Sequence, residues 1–184
     1  MIAIGCDHGG FELKNILVKY LEAEGYEYID VGTYDENSVD YPDIADKLCK
    51  KIQNGECEKG ILVCGTGIGM NMCANKHKGI RAAQCHDTFS AKMTRQHNNA
   101  NVLTMGGRVV GSELAKEIVR EFLTNSFLGY RHQNRIDKMM NLENMAKIKS
   151  TDLTLLLVWD YLWTVMVFHL HLIHFLATKT NSQL

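Results

Sequence analysis

Neither sign of charge dominates this sequence: 20 Lys and Arg against 21 Asp and Glu leave a formal net charge of −1 over 184 residues. That removes any general electrostatic pull toward nucleic acid or an anionic membrane. None of the six cysteines (6, 49, 57, 64, 73, 85) is paired as CxxC, and no leader-like segment opens the chain. Free thiols in a reducing cytoplasm explain this better than a disulfide framework. No compact zinc-ligand spacing is present either, so a metal site is not expected. Two nucleotide signatures are missing as well. Gly65-x-Gly67-x-Gly69 is not GxGxxG, because Met70 stands at the third glycine position, and no Gly-Lys-Ser/Thr follows to make a P-loop. No internal repeat or low-complexity linker divides the chain.

What is present is a regular alternation. Short apolar runs at Ile2–Cys6, Tyr28–Val31, Ile61–Cys64, Ile80–Cys85 and Val102–Met105 read as strands. Between and after them, Phe11–Glu24, Tyr41–Ile52, Met70–Lys76, Thr88–Gln96 and Gly111–Leu123 read as helices. In the first of these Leu13, Ile16, Leu17, Tyr20 and Leu21 share one face, and Gly25 closes it. Pro42 suits the first turn of the second. Strand–helix alternation with short connections predicts an α/β three-layer sandwich, a parallel five-stranded sheet with helices on both faces. The flavodoxin-like order 2-1-3-4-5 is expected, with its ligand crevice between strands one and three.

That crevice would bring together the residues most suited to chemistry. Cys64 ends the third strand beside Gly65, Gly67 and Gly69, whose backbone can approach a ligand closely. Amides at a helix N-terminus favour negative charge there, which suits a thiol acting as nucleophile or base. The ordinary reading of Cys64 is a buried strand-end cysteine, and the same reading fits the other five. Asp7-His8 follows the first strand, where Asp7 suits a helix cap. His97-Asn98-Asn99 precedes the fifth strand, in what reads as a polar loop. Arg108, Arg131 and Arg135 suit a phosphate clamp, although surface arginines are usually just solvated.

Together these motifs carry a resemblance. Gly5-Cys6-Asp7-His8-Gly9-Gly10, Asp40-Tyr41-Pro42, Cys64-Gly65-Thr66-Gly67-Ile68-Gly69, Ala74-Asn75-Lys76, Gly79-Ile80-Arg81-Ala82, Arg95-Gln96-His97-Asn98, Asn101-Val102-Leu103, Gly107-Arg108-Val109-Val110-Gly111 and Arg131-His132-Gln133-x-Arg135 stand in the order seen in ribose-5-phosphate isomerases of type B. The wider family includes allose- and galactose-6-phosphate isomerases. The resemblance runs from residue 1 to about 149. It implies a cofactor-free, cytoplasmic aldose–ketose isomerase of the pentose phosphate pathway, interconverting ribose 5-phosphate and ribulose 5-phosphate through an enediolate. By the same resemblance Cys64 is the base and the amides of Gly65 to Gly69, Ile68 included, hold the enediolate. His97 opens the sugar ring with Asp7 assisting at the sugar hydroxyls, Thr66 and Asn98 bond the sugar, and His8, Arg108, Arg131 and Arg135 bind the phosphate or its neighbourhood. It also implies a homodimer or tetramer with a site shared between subunits, so that His97, Asn98 and Arg108 serve a neighbour's Cys64. One branch of the family uses glutamate as base; with Cys64 present and Met70-Asn71-Met72 following, the thiol branch is expected.

Residues 150–184 have no counterpart in that pattern and form an expected hydrophobic extension. Leu153 to Ala177 is almost continuously apolar, interrupted by Asp160 and three histidines, and carries Trp159 and Trp163. Its length suits a membrane span, but the buried Asp and His would be expensive there, which makes that the weaker reading. A helix packed on the body or a partner and an extraneous extension of the reading frame are the others. Three functional alternatives stay open: the same chemistry on a hexose phosphate, a non-catalytic sugar-phosphate-binding regulator, and a membrane-tethered interaction protein.

Overall fold

A computed structural model of the chain describes residues 1–144 and 161–166. The chain forms two compact units, Met1–Asp137 and Lys138–Leu184. In the second unit residues 161–166 are helical; the boundary expected at 149/150 lies outside the described residues. No helix among the described residues is long and apolar enough to cross a membrane.

The first unit is the expected α/β sandwich. Its strands are β1 (Ile2–Cys6), β2 (Tyr28–Asp30), β3 (Lys59–Cys64), β4 (Ala82–Gln84) and β5 (Val102–Gly106), all parallel. Its helices are α1 (Phe11–Ala23), α2 (Tyr41–Gln53), α3 (Ile68–Ala74), α4 (Thr88–Asn98) and α5 (Ser112–Thr124), and residues 131–137 are also helical. The period-two alternation of strand side chains divides the core. Ile2, Ile4, Cys6, Ile61, Val63, Leu103 and Met105 pack with α1 and α5 residues such as Leu17, Leu21, Ile118 and Phe122. Ala3, Leu62, Cys64 and Val102 join Ile44, Leu48 and Cys49 of α2 and Met70 and Ala74 of α3. Each fully buried leucine or isoleucine is worth about 1.5–3 kcal/mol of transfer free energy, so the two layers fix strand register firmly.

One detail of the topology differs from expectation. The sheet order is β2-β1-β3-β5-β4, with the last two strands exchanged relative to 2-1-3-4-5. Burial explains the exchange. β5 is buried along its whole length, as a strand enclosed on both sides must be, whereas β4 is three half-buried residues and suits an edge. The pairing of Cys64 with Gly106 is also close-fitting, since a Cβ on Gly106 would lie 2.7 Å from the Thr66 backbone.

Local departures are small but affect the site. β4 is shorter than the Ile80–Cys85 run, and α3 starts at Ile68, two residues before the expected Met70. α4 extends to Asn98, so His97 and Asn98 stand on its last turn and not in a polar loop. On α1 the buried face includes Lys14, only 1% exposed, while Ile16 and Tyr20 are half-buried. The Lys14 ammonium reaches across the ends of β1 and β2 to Asp30 Oδ2 at 2.6 Å and the Thr33 carbonyl at 2.9 Å. A buried charge needs such partners, and apolar periodicity does not announce them.

Candidate active site

The carboxyl ends of β1, β3 and β5 lie side by side, and their three loops interlock through backbone. The Asp7 amide donates to the Val63 carbonyl at 3.1 Å, the Gly107 amide to the Cys64 carbonyl at 2.8 Å, and the Arg108 amide to the Gly65 carbonyl at 3.1 Å. Gly9 approaches Gly65 so closely that a Cβ would sit 3.0 Å from its nitrogen, and Gly107 approaches Gly9 in the same way. The exchanged strand order thus brings the Arg108 loop against the Cys64 loop.

Cys64, 4% exposed, is aimed at this junction. Its Sγ accepts a hydrogen bond from the Gly67 amide at 3.1 Å. Gly67 sits at φ +83° as the N-cap of α3, with a Cβ position 2.8 Å from the Met105 backbone, so only glycine fits. The next amide, of Ile68, donates to Thr66 Oγ1 at 3.4 Å, and the Gln84 side chain holds the Thr66 carbonyl at 2.8 Å. Gly69 is covered by the Tyr41 ring at the start of α2, where a Cβ would meet it at 2.8 Å. The other cysteines lie away from the glycine loop. Burial pushes Cys6 up to about 11 and Cys49 and Cys85 up to about 12, and raises Cys57 and Cys73 as well. At neutral pH these are thiols in or beside the core.

Around this nest, Asp7 is buried and its Oδ1 accepts from the Gly10 amide at 3.1 Å, capping a 3-10 turn (His8–Gly10) ahead of α1. His8 is exposed, and its Nδ1 lies 3.5 Å from the donating Val39 amide. Arg108 is exposed, with its side chain beside Gly65.

A second group forms at the end of α4. His97 is half-buried and stacks on His132, ring centroids 4.3 Å apart and planes 7° from parallel. Asn98 beside it is exposed, as are Arg131 and Arg135, which flank His132. Burial, then His97, Arg131 and Arg135, hold His132 below the ordinary histidine range. Among the described residues no hydrogen bond, ion pair or ring contact joins this group to Cys64 and its glycines. The residues expected of one site therefore gather as two groups within the unit.

Several contributors carried no expected role: Tyr41, Gln84 and His132. Tyr41 and His132 stand inside the quoted motifs, and that position was their only signal. Gln84, at the end of an edge strand, gave none. Among the described residues no cluster of His, Cys, Asp and Glu could hold a metal ion.

Known proteins resemble this chain in sequence and fold. A profile of the family described as Ribose/Galactose Isomerase matches residues 2–139. The "Ribose-5-phosphate isomerase B" of Escherichia coli is 47% identical over 142 residues, which cover 77% of this chain and 95% of that protein. The "D-erythrulose-4-phosphate isomerase" of Pectobacterium atrosepticum is 46% identical over 149 residues, covering 79% and 97%. The solved structure of Clostridium thermocellum ribose-5-phosphate isomerase B matches with TM-score 0.78 at 47% identity, covering 79% of this chain and 98% of that one.

Proposed function

This chain belongs to the Ribose/Galactose Isomerase family, and on that premise we propose that it interconverts ribose 5-phosphate and ribulose 5-phosphate through an enediolate. The observation that carries the proposal is the Gly67 amide aimed at a buried Cys64 sulfur at the junction of three strand ends. A donor fixed on the sulfur stabilises negative charge there, as a base that must accept and return a proton requires.

In the proposed reaction His97 first takes and returns the protons that open the furanose ring, with Asp7 assisting at the sugar hydroxyls. The Cys64 thiolate then removes the proton from C2 of the open aldose. Negative charge passes to the oxygens of C1 and C2, where the amides of Gly65 to Gly69 stabilise it. Cys64 returns its proton to C1, and a proton moves from the C2 hydroxyl to the C1 oxygen, leaving the ketose. Thr66 and Asn98 bond the sugar hydroxyls, while His8, Arg108, Arg131 and Arg135 hold the phosphate. No electrons leave or enter the substrate, so the chain's own acid–base groups balance the reaction.

The separation of the two groups within one chain supports a shared site, in which His97 and Asn98 of one subunit complete the Cys64 nest of another, while Arg108 lies beside Gly65 of its own chain. Exposed Ile68 and Met72 on α3 and Phe89 on α4 would be covered in such a dimer. Mixing Cys64→Ala and His97→Asn chains then regenerates activity that neither has alone; a mixture that stays inactive despite forming mixed dimers contradicts sharing.

The defining test is turnover of the full chain on ribose 5-phosphate, allose 6-phosphate and galactose 6-phosphate, each with chelator present. Preference for the pentose is expected. Preference for a hexose would reassign the substrate within the family, and tight binding without turnover of any of the three would make the protein a sugar-phosphate-binding regulator.

A further inference from the structure

The His97–His132 stack is built by more than the two rings. After α5 the chain runs as a strap across the end of α4. Asn125 Oδ1 accepts from Gln96 Nε2 at 2.9 Å, and the Leu128 amide donates to the Gln96 carbonyl at 3.0 Å. Both anchors grip the residue immediately before His97. Gly129 and Tyr130 then take consecutive positive φ values, +70° and +49°, a sharp reversal that is unusual for tyrosine. The turn is closed by the His132 amide donating to the Gly129 carbonyl at 3.0 Å and the Gln133 amide to the Tyr130 carbonyl at 3.0 Å. Its outcome is a histidine 6% exposed, lying flat on His97, while the neighbouring Arg131, Gln133, Asn134 and Arg135 are exposed.

We infer that His132 is a positioning residue, whose ring fixes the plane of His97 for opening the sugar ring. The inference rests on the reading of His97 as the ring-opening acid–base group. Proton transfer to and from a ring oxygen needs the donor within hydrogen-bond reach and correctly directed. A side chain on the last turn of a helix has freedom about both χ angles, and a parallel ring at 4.3 Å removes the tilts that would misdirect its nitrogens. The low proton affinity of His132 keeps the covering ring neutral, so it does not repel His97 when His97 takes up a proton.

The experiment separates ring opening from isomerisation by choice of substrate. Ribose 5-phosphate cyclises, whereas D-erythrose 4-phosphate cannot, because the oxygen that would close its furanose ring carries the phosphate. In His132→Ala, kcat on ribose 5-phosphate is expected to fall at least about tenfold more than kcat on erythrose 4-phosphate, and His132→Phe, which keeps a flat ring, should restore most of that difference. Equal losses on both substrates, or a Phe variant as impaired as Ala, overturn the positioning role. His97→Asn is the reference: if it shows no selective loss on the cyclising substrate, the ring-opening role itself falls and this inference with it. In the unaltered protein, NMR provides a readout independent of folding by the variants. A stacked His97 Cε1 proton should resonate upfield of an exposed histidine through the ring current of His132, and an unshifted resonance overturns the stack.

Discussion

The two groups of site residues are held by different means. The Cys64 nest is backbone locked to backbone: amides of Asp7, Gly107 and Arg108 bonded to carbonyls of the adjacent strand end, and glycines packed where no Cβ fits. The His97 group is side chain against side chain, one ring lying on another and delivered by a strap that grips Gln96. The first should resist most side-chain changes and fail when a glycine gains a methyl group. The second should behave the opposite way. The charge development proposed near Cys64 asks for fixed dipoles, whereas the proton delivery proposed for His97 asks for a correctly aimed ring, and each mode of support suits the proposed task.

The largest expected effect is at the nest's one reactive side chain. Cys64→Ala should lower kcat for ribose 5-phosphate by about 10³-fold or more, within the range for loss of a positioned base, while calorimetric binding of the sugar phosphate changes little. Near-normal turnover would dissolve the contrast between the groups, because the nest would then have no chemical centre.

Lys14→Met tests a side-chain anchor outside both groups, the buried ammonium at the ends of β1 and β2. The variant leaves Asp30 and the Thr33 carbonyl without their cation, and denaturant unfolding should show a loss of about 3 kcal/mol, typical of breaking a mostly buried pair. A loss under about 0.5 kcal/mol would place Lys14 among ordinary surface pairs.

Gly67→Ala tests the backbone lock directly. The left-handed conformation alone costs about 1–2 kcal/mol, and the approach to Met105 adds to it. Gly25→Ala is the matched control, with a similar φ of +75° but nothing within 4 Å of its Cβ position. Gly67→Ala should destabilise more and also slow turnover; equal thermal shifts in the two variants would refute a close-packed nest.

The smallest effect is the pH dependence of the ring stack. His132 binds its proton less readily folded than unfolded, so the unfolded chain takes up a proton first as pH falls. Its contribution is fully present above about pH 6.5, the ordinary histidine value, and declines below it. His97, Arg131 and Arg135 oppose its protonation electrostatically. Between pH 7.5 and 5.5 the unaltered protein should therefore lose slightly more thermal stability than His132→Phe, which has no proton to gain. Identical slopes would show that the stack carries no proton linkage.

Much of this molecule was legible along the chain. Apolar runs punctuated by glycine marked all five strands and α1 to α5, because burial on two faces leaves a one-dimensional trace. The thiol beside three glycines was visible for the same reason: close approach of backbone leaves residues without side chains. What sequence order could not supply was adjacency. That β5 and not β4 lies beside β3 depends on which strand can be enclosed on both sides, and this decides that Arg108 meets the Cys64 loop. The buried ammonium of Lys14, the helical setting of His97 and the ring of His132 upon it depend on contacts between residues far apart in the chain. The sequence by itself determined the elements and the chemistry available to them; tertiary packing alone decided which groups meet, because periodicity reports burial and carries no record of partners.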